Sequence, residues 1–201
     1  MKVTKQTTLR ASGIVFALAV AVSPVMAAAA SDSENTVINA NIGSTITVAT
    51  ASPVTLNLTP TASAVTSTAS DTVTVNTNNT AGYTLTLTDS DAVTTLTTGA
   101  DDIAAHTGTP AAPTALADNT WGFAVANQAG FDATYSTQNS NDSYSGTFAG
   151  VVASGGSAAT LKTTAATATN DTTTVWYGAK VNNSQPTGAY TGTVTYTATT
   201  N

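Results

Sequence analysis

Apolar and polar residues alternate with period two along most of this chain, the spacing of strands with one buried face. "STITVAT" (44–50) and "PVTLNLTP" (53–60) alternate on either side of a turn at Ser52-Pro53. "DTVTVNT" (71–77) and "GYTLTLT" (82–88) flank "NNTAG", a run of turn formers that predicts a hairpin. Val73 and Val75 on one strand, and Tyr83, Leu85 and Leu87 on the other, are expected to point inward. Thr72, Thr74, Thr84, Thr86 and Thr88 then point outward.

Between residues 91 and 119 the pattern loses regularity. Gly, Pro and Asp punctuate it, so it reads as a long crossover with short strands and a helical turn near 113–118. "TWGFAVAN" (120–127) restores a strand with Trp121, Phe123 and Val125 on one side. "QNSNDSYSG" (138–146) reads as a loop, "TFAGVVAS" (147–154) as a weak strand and "TTTVWYGAKVNN" (172–183) as a long one. The turn "SQPTG" then leads into "GAYTGTVTYTATTN" (188–201), which predicts a second hairpin. In that last run Thr191, Thr193, Thr195, Thr197 and Thr199 occupy every second position, so one strand face is wholly threonine. Trp121, Phe123, Trp176 and Tyr190 fall at alternating strand positions and are expected in the core. The fold class that follows is all-β: an antiparallel β-sandwich, Ig-like or jelly-roll-like, of about 8–10 strands.

Threonine suits that role, because its β-branched side chain favours extended backbone and its hydroxyl tolerates water. It also explains how a chain with only 8% charged residues keeps a soluble face. The same rows raise ice binding, but that needs a flat face and ordinary sheets twist.

The N-terminus changes the picture of compartment. Lys2, Lys5 and Arg10 precede the uncharged run "GIVFALAVAV" (13–22), and "VMAAAA" offers small residues for cleavage. This is the layout of a secretory signal peptide over 1–30, shorter than the ~20 apolar residues that a span needs. The expected organisation is a signal peptide (1–30), a polar lead-in (31–42) and a single sandwich domain (43–201), secreted to a bacterial cell surface with no integral span after cleavage. Loss of the leader leaves two basic residues against eleven acidic ones, a formal charge of −9. Such a surface repels phosphate backbones and anionic membranes, so nucleic acid is not an expected partner. There is no cysteine, so packing and strand pairing alone must hold the fold.

Catalytic chemistry is poorly supplied. His106 is the only histidine and is expected as an exposed loop residue; no Ser-x-x-Lys or Gly-x-Ser-x-Gly occurs. Calcium is the one metal candidate, through Asp89, Asp91, Asp101 and Asp102, with Asp142 in a second polar loop; no complete ligand loop is present. Glycan contact would need exposed aromatics, and Tyr135 and Tyr144 beside the polar loop are the candidates. An isopeptide cross-link would have to use Lys162 or Lys180, with Glu34 or an aspartate assisting.

"NNTAGYTLTLTDSD" (78–91) resembles the first motif of the WxL-type surface domains of Gram-positive bacteria, with Tyr83-Thr84-Leu85 standing where Trp-x-Leu is usual. "GAYTGTVTYTATTN" is similar to the closing strand of those domains, with Tyr196 at the tryptophan position. The order of these runs also resembles that of threonine-rich exported bacterial proteins. The resemblance implies a non-covalent, wall-associated domain and carries no catalytic residues.

The expected function is therefore non-enzymatic: a cell-surface or cell-wall-associated protein, adhesive or coat-forming. Surface glycans, other surface proteins or further copies of itself are its expected partners. The alternative is a self-assembling fibre subunit that uses strand exchange, with segment 31–50 as a donor. A glycan-binding module or a secreted hydrolase ranks behind both. No L-P-x-T-G-like signal follows the last strand, so retention is expected without covalent anchoring.

Overall fold

The structure is a computed structural model that describes residues 30–51, 53–126, 128–131, 135, 138–141 and 146–201, with backbone alone for 138–141. The leader (1–29), Ser52 of the expected turn, Asp142 and Tyr144 lie outside the described residues. Contacts divide the chain into two units, 1–41 and 42–201. In the first, residues 30–41 are exposed and form no helix or strand.

The second unit is all-β. Its strands are β1 (Ile46–Ala49), β2 (Val65–Thr77), β3 (Tyr83–Asp89), β4 (Leu96–Thr97), β5 (Asp102–Ala105) and β6 (Thr114–Ala115). They continue with β7 (Thr120–Val125), β8 (Gln138–Asn141), β9 (Thr147–Phe148), β10 (Ala159–Thr163), β11 (Ala168–Val181) and β12 (Val194–Thr200). One sheet runs β1–β2–β11–β7–β5–β4, and β8 shares the β1 side of β2. A three-stranded sheet runs β10–β3–β12, and β6 pairs with β9. Pairing is antiparallel throughout except for β5 with β7, which is parallel.

The alternating residues form the core between the two larger sheets. Val73, Val75, Tyr83, Leu85, Leu87, Phe123 and Val175 are at most 1% exposed, and Trp121 and Tyr177 join them. Each such side chain contributes about 1.5–3 kcal/mol by leaving water. A smaller cluster lies on the other face of β7, where Ala124, Leu116 and Phe148 are buried and Phe131, Tyr135 and Trp176 pack on them. Trp176 is thus half-buried in this second cluster, whereas Tyr190 is half-buried against the main core.

Both expected hairpins are instead crossings between sheets. β2 pairs with β1, β8 and β11, whereas β3 pairs with β10 and β12. "NNTAG" is a corner between layers: Gly82 takes φ 83, its N–H donates to the Asn79 carbonyl at 3.0 Å, and Asn79 Nδ2 donates back to the Gly82 carbonyl at 2.9 Å. A methyl at Gly82 would overlap the Thr164 carbonyl oxygen, so this corner needs glycine twice over. Likewise β11 pairs with β2 and β7, and β12 crosses to β3. The physical reason is that inward residues of consecutive strands meet face to face across the core, which alternation cannot distinguish from side-by-side pairing.

Three smaller expectations change as well. The expected helical turn at 113–118 contains β6, which pairs with β9. Part of the expected loop 138–146 is β8, a polar strand aligned on Val65–Thr68 of β2. Residues 53–60 keep an alternating burial pattern, with Val54, Leu56 and Leu58 half-buried on the core, but they form no ladder.

Candidate functional site

The most distinctive surface is the outer face of the three-stranded sheet. Register places Thr195 beside Thr88, Thr197 beside Thr86 and Thr199 beside Thr84. On the other side of β3, Thr86 faces Thr160 and Thr84 faces Thr163, the latter pair with hydroxyls 3.5 Å apart. Inward positions of β3 hold Tyr83, Leu85 and Leu87, so burial of that face turns Thr84, Thr86 and Thr88 outward. Cross-strand threonine pairs contribute about 0.2–1 kcal/mol each and keep methyls and hydroxyls in rows. The surface offers neutral hydrogen bonding with shallow apolar contact.

The face ends at β12. This strand pairs with β3 along one side and, among the described residues, with no other strand along the other, although β1 passes close to part of it. Its far end is stitched to the corner, where Asn201 N–H donates to the Gly82 carbonyl at 3.1 Å and Asn201 Nδ2 to the Thr164 carbonyl at 2.7 Å. Thr195, Thr197 and Thr199 are exposed, whereas Val194, Tyr196 and Ala198 are half-buried on the core. The structure thereby sets Tyr83, Leu85 and Tyr196 in one sheet, with Tyr196 directly opposite Leu87.

Polar groups tie the two sheets together beneath this surface. The buried Tyr83 hydroxyl donates to Asp171 Oδ2 at 2.8 Å, and Lys162 Nζ lies 2.5 Å from Asp171 Oδ1. Burial raises the Asp171 pKa, but hydrogen bonds from Lys162 and Tyr83 outweigh it and hold the carboxyl below its ordinary value. Deeper in, the Tyr177 and Tyr196 hydroxyls are 2.7 Å apart, and burial pushes both phenols well above their ordinary range. Both lysines considered for a cross-link are held in ion pairs, Lys162 with Asp171 and Lys180 with Asp118 at 2.9 Å.

The four candidate calcium aspartates are dispersed. Asp89 is buried at the inner end of β3, and its Oδ1 accepts the Asp91 N–H at 3.0 Å. With the exposed Asp91 it borders a depression of about 400 Å³ lined by Thr95, Thr97 and Thr191. Asp101 and Asp102 lie in and after the β4–β5 turn, where the Asp101 carbonyl accepts the Thr98 N–H. Among the described residues no three His, Asp or Glu side chains gather as a metal would require. Burial chiefly raises the Asp89 pKa, and proximity to Asp91 adds to the rise. Its proton is therefore held more tightly folded than unfolded, and stability is lost as pH rises through the folded value. Asp89→Asn is expected to raise the chemical-denaturation midpoint at pH 7, with the gain shrinking toward pH 4.

His106 corrects its expectation: it is buried, not exposed. Its N–H donates to the Trp121 carbonyl at 2.7 Å, and Nε2 is 2.8 Å from Thr114 Oγ1. Burial lowers its pKa more than the contact with Thr114 raises it. Tyr135, expected outside, is half-buried: its hydroxyl donates to the Thr147 carbonyl at 2.6 Å and its ring stacks on Trp176.

The sequence allows the last strand either to close the sandwich beside 172–183 or to lie at an edge, because alternation shows a half-buried strand but not which neighbours it has; the register puts it beside β3 instead. Comparison with known families, curated proteins and solved structures finds no match to the chain.

Proposed function

We propose that the chain is an exported, non-enzymatic protein of the bacterial cell surface or wall, adhesive or coat-forming, and related in design to the WxL-type domains. The observation that carries this reading is the threonine-faced sheet ending in an uncharged open edge. Such a face serves contact: its hydroxyls can donate or accept, its methyls exclude water, and it has no charge to repel a neutral glycan or a like surface. Export follows from the basic, apolar and small-residue order of residues 1–30. The acidic balance of the remaining chain is compatible with an outer surface, where it discourages non-specific anion binding.

Fractionation of the native host, with pulldown by purified wall polysaccharide, tests this directly. The chain is expected in the envelope fraction, cleaved near residue 30 and released by chaotrope without hydrolysis of the wall. A cytosolic, uncleaved chain would contradict the reading.

A further inference from the structure

The segment preceding β1 carries a strand pattern without a strand partner. Ile38, Ala40 and Ile42 repeat at every second position, in phase with Ile46 and Val48 of β1. Asn39, Asn41 and Gly43 take the alternate places. Nonetheless residues 30–44 form no strand and are exposed, with Val37 at 80%, Ile38 at 89% and Ile42 at 87%. An apolar stripe of period two that stays in water is encoded for a ladder that this copy does not supply.

β12 is the edge best suited to receive it. Edge strands ordinarily protect themselves with charge, bulges or shortness. β10 carries Lys162 and a register shift between Thr160 and Lys162, and its Ala159 and Leu161 are already buried. β1 has four residues and β4 two. β12 has seven, no charge, and an unbroken register along β3. Its inward residues Val194, Tyr196 and Ala198 are only half-covered, so another strand alongside would complete their burial.

The segment leaves from the corner where β12 ends, yet it makes no ladder with the β12 of its own copy. Asn78 Nδ2 donates to the Gly43 carbonyl at 2.9 Å, and Thr45 N–H donates to Asn78 Oδ1 at 2.7 Å. These bonds pin the chain at the corner; β1 passes close to part of β12 without pairing to it, so the hydrogen-bonding side of β12 carries no ladder in this copy.

We propose that residues 36–43 of one copy add as a strand to the free side of β12 in a second copy, with Ile38, Ala40 and Ile42 turned toward its core. Each copy has one such segment and one such edge, so the contact is heterologous and propagates as an end-to-end polymer. This deepens the coat-forming reading, yet it is tested with purified protein, so envelope fractionation can fail or succeed independently of it.

The test uses the chain without residues 1–30, followed by sedimentation velocity and negative-stain microscopy across a wide concentration range. Concentration-dependent filaments are expected. Ile38→Asp combined with Ile42→Asp should leave monomers with unchanged circular dichroism and melting, because both sites are solvent-exposed in the single copy. A free peptide of residues 36–43 should cap the edge and arrest growth. The chain has no cysteine, so Asn41→Cys mixed with Thr197→Cys, both on the outward face of the proposed ladder, should give a disulfide-linked pair of chains. Filaments that persist in the double aspartate variant would overturn the proposal. So would a parent that stays monomeric, or a chain bearing both cysteines that closes only on itself.

Discussion

Gly150→Ala is expected to give a chain that fails to fold, or one weakened by at least ~3 kcal/mol, the range of severe overpacking. A methyl at this position would overlap the His106 carbonyl oxygen. The obstacle is backbone, which cannot rotate aside as a flexible side chain can. The surroundings are equally fixed: Gly150 N–H donates to the Gly108 carbonyl at 2.8 Å, and Ala149 exchanges two 2.8 Å hydrogen bonds with Phe123. This close layering seats Phe148 in the second cluster, so displacing it would open that cluster as well. In a domain of this size the loss corresponds to a fall in melting temperature of at least about 6 °C. Gly43→Ala is the control, since a methyl there meets nothing within 4 Å, and it should leave melting unchanged.

Asp171→Ala should cost about 2–3 kcal/mol in chemical denaturation, because it deprives the buried Tyr83 hydroxyl of a charged acceptor. The Lys162 pair adds less than about 1 kcal/mol, since both ends are close to one-third exposed (31% and 28%). Tyr83→Phe should cost only about 1 kcal/mol, as it removes the hydrogen bond without leaving a buried donor unpaired. The acid behaviour carries a sign. The folded Asp171 pKa lies below its ordinary 3.8, so its stabilisation is present above 3.8 and is lost as pH falls through the folded value. The His106 pKa lies below 6.5, so stability begins to fall as pH drops under 6.5 toward the folded value. Denaturation across pH should therefore show one decline below 6.5 and another below 3.8, and Asp171→Asn should shrink the lower one to the part left by Asp118, whose pKa the hydrogen bond from Lys180 also holds below 3.8.

The inward faces were legible in the sequence because the signal that marks them is local. Val73, Val75, Tyr83, Leu85 and Leu87 lie in the core where alternation predicts them, and the all-β class follows from the same pattern. Partner choice was not legible, since Tyr83–Asp89 reads alike whether its neighbour is β2 or β12. Gly82 and Asn79 could serve a hairpin or a corner, and only the pairing of β3 with β10 and β12 decides. β8 is polar along its length, so it becomes a strand through Val65–Thr68 beside it and not through a pattern of its own. His106 becomes buried because Gly108, Gly122 and Gly150 let backbone close around it, a tertiary effect with no local mark. Of the candidate contact surface, the threonine face was readable, whereas an edge at β12 was one of two readings that alternation could not separate. Residues 31–42 read both as a polar lead-in and as part of a candidate donor strand, 31–50, because asparagines alternate there with Ile38, Ala40 and Ile42.

Amide hydrogen exchange along β12 tests most directly whether this sheet ends in an edge built for contact. In dilute monomer, alternate amides of Val194–Thr200 should be slow where they bond to β3 and fast where they face outward, and the fast set should slow as the chain assembles. Uniformly slow exchange along β12 in the dilute monomer would mean that the edge is already covered within one chain, contrary to the open-edged sandwich described above.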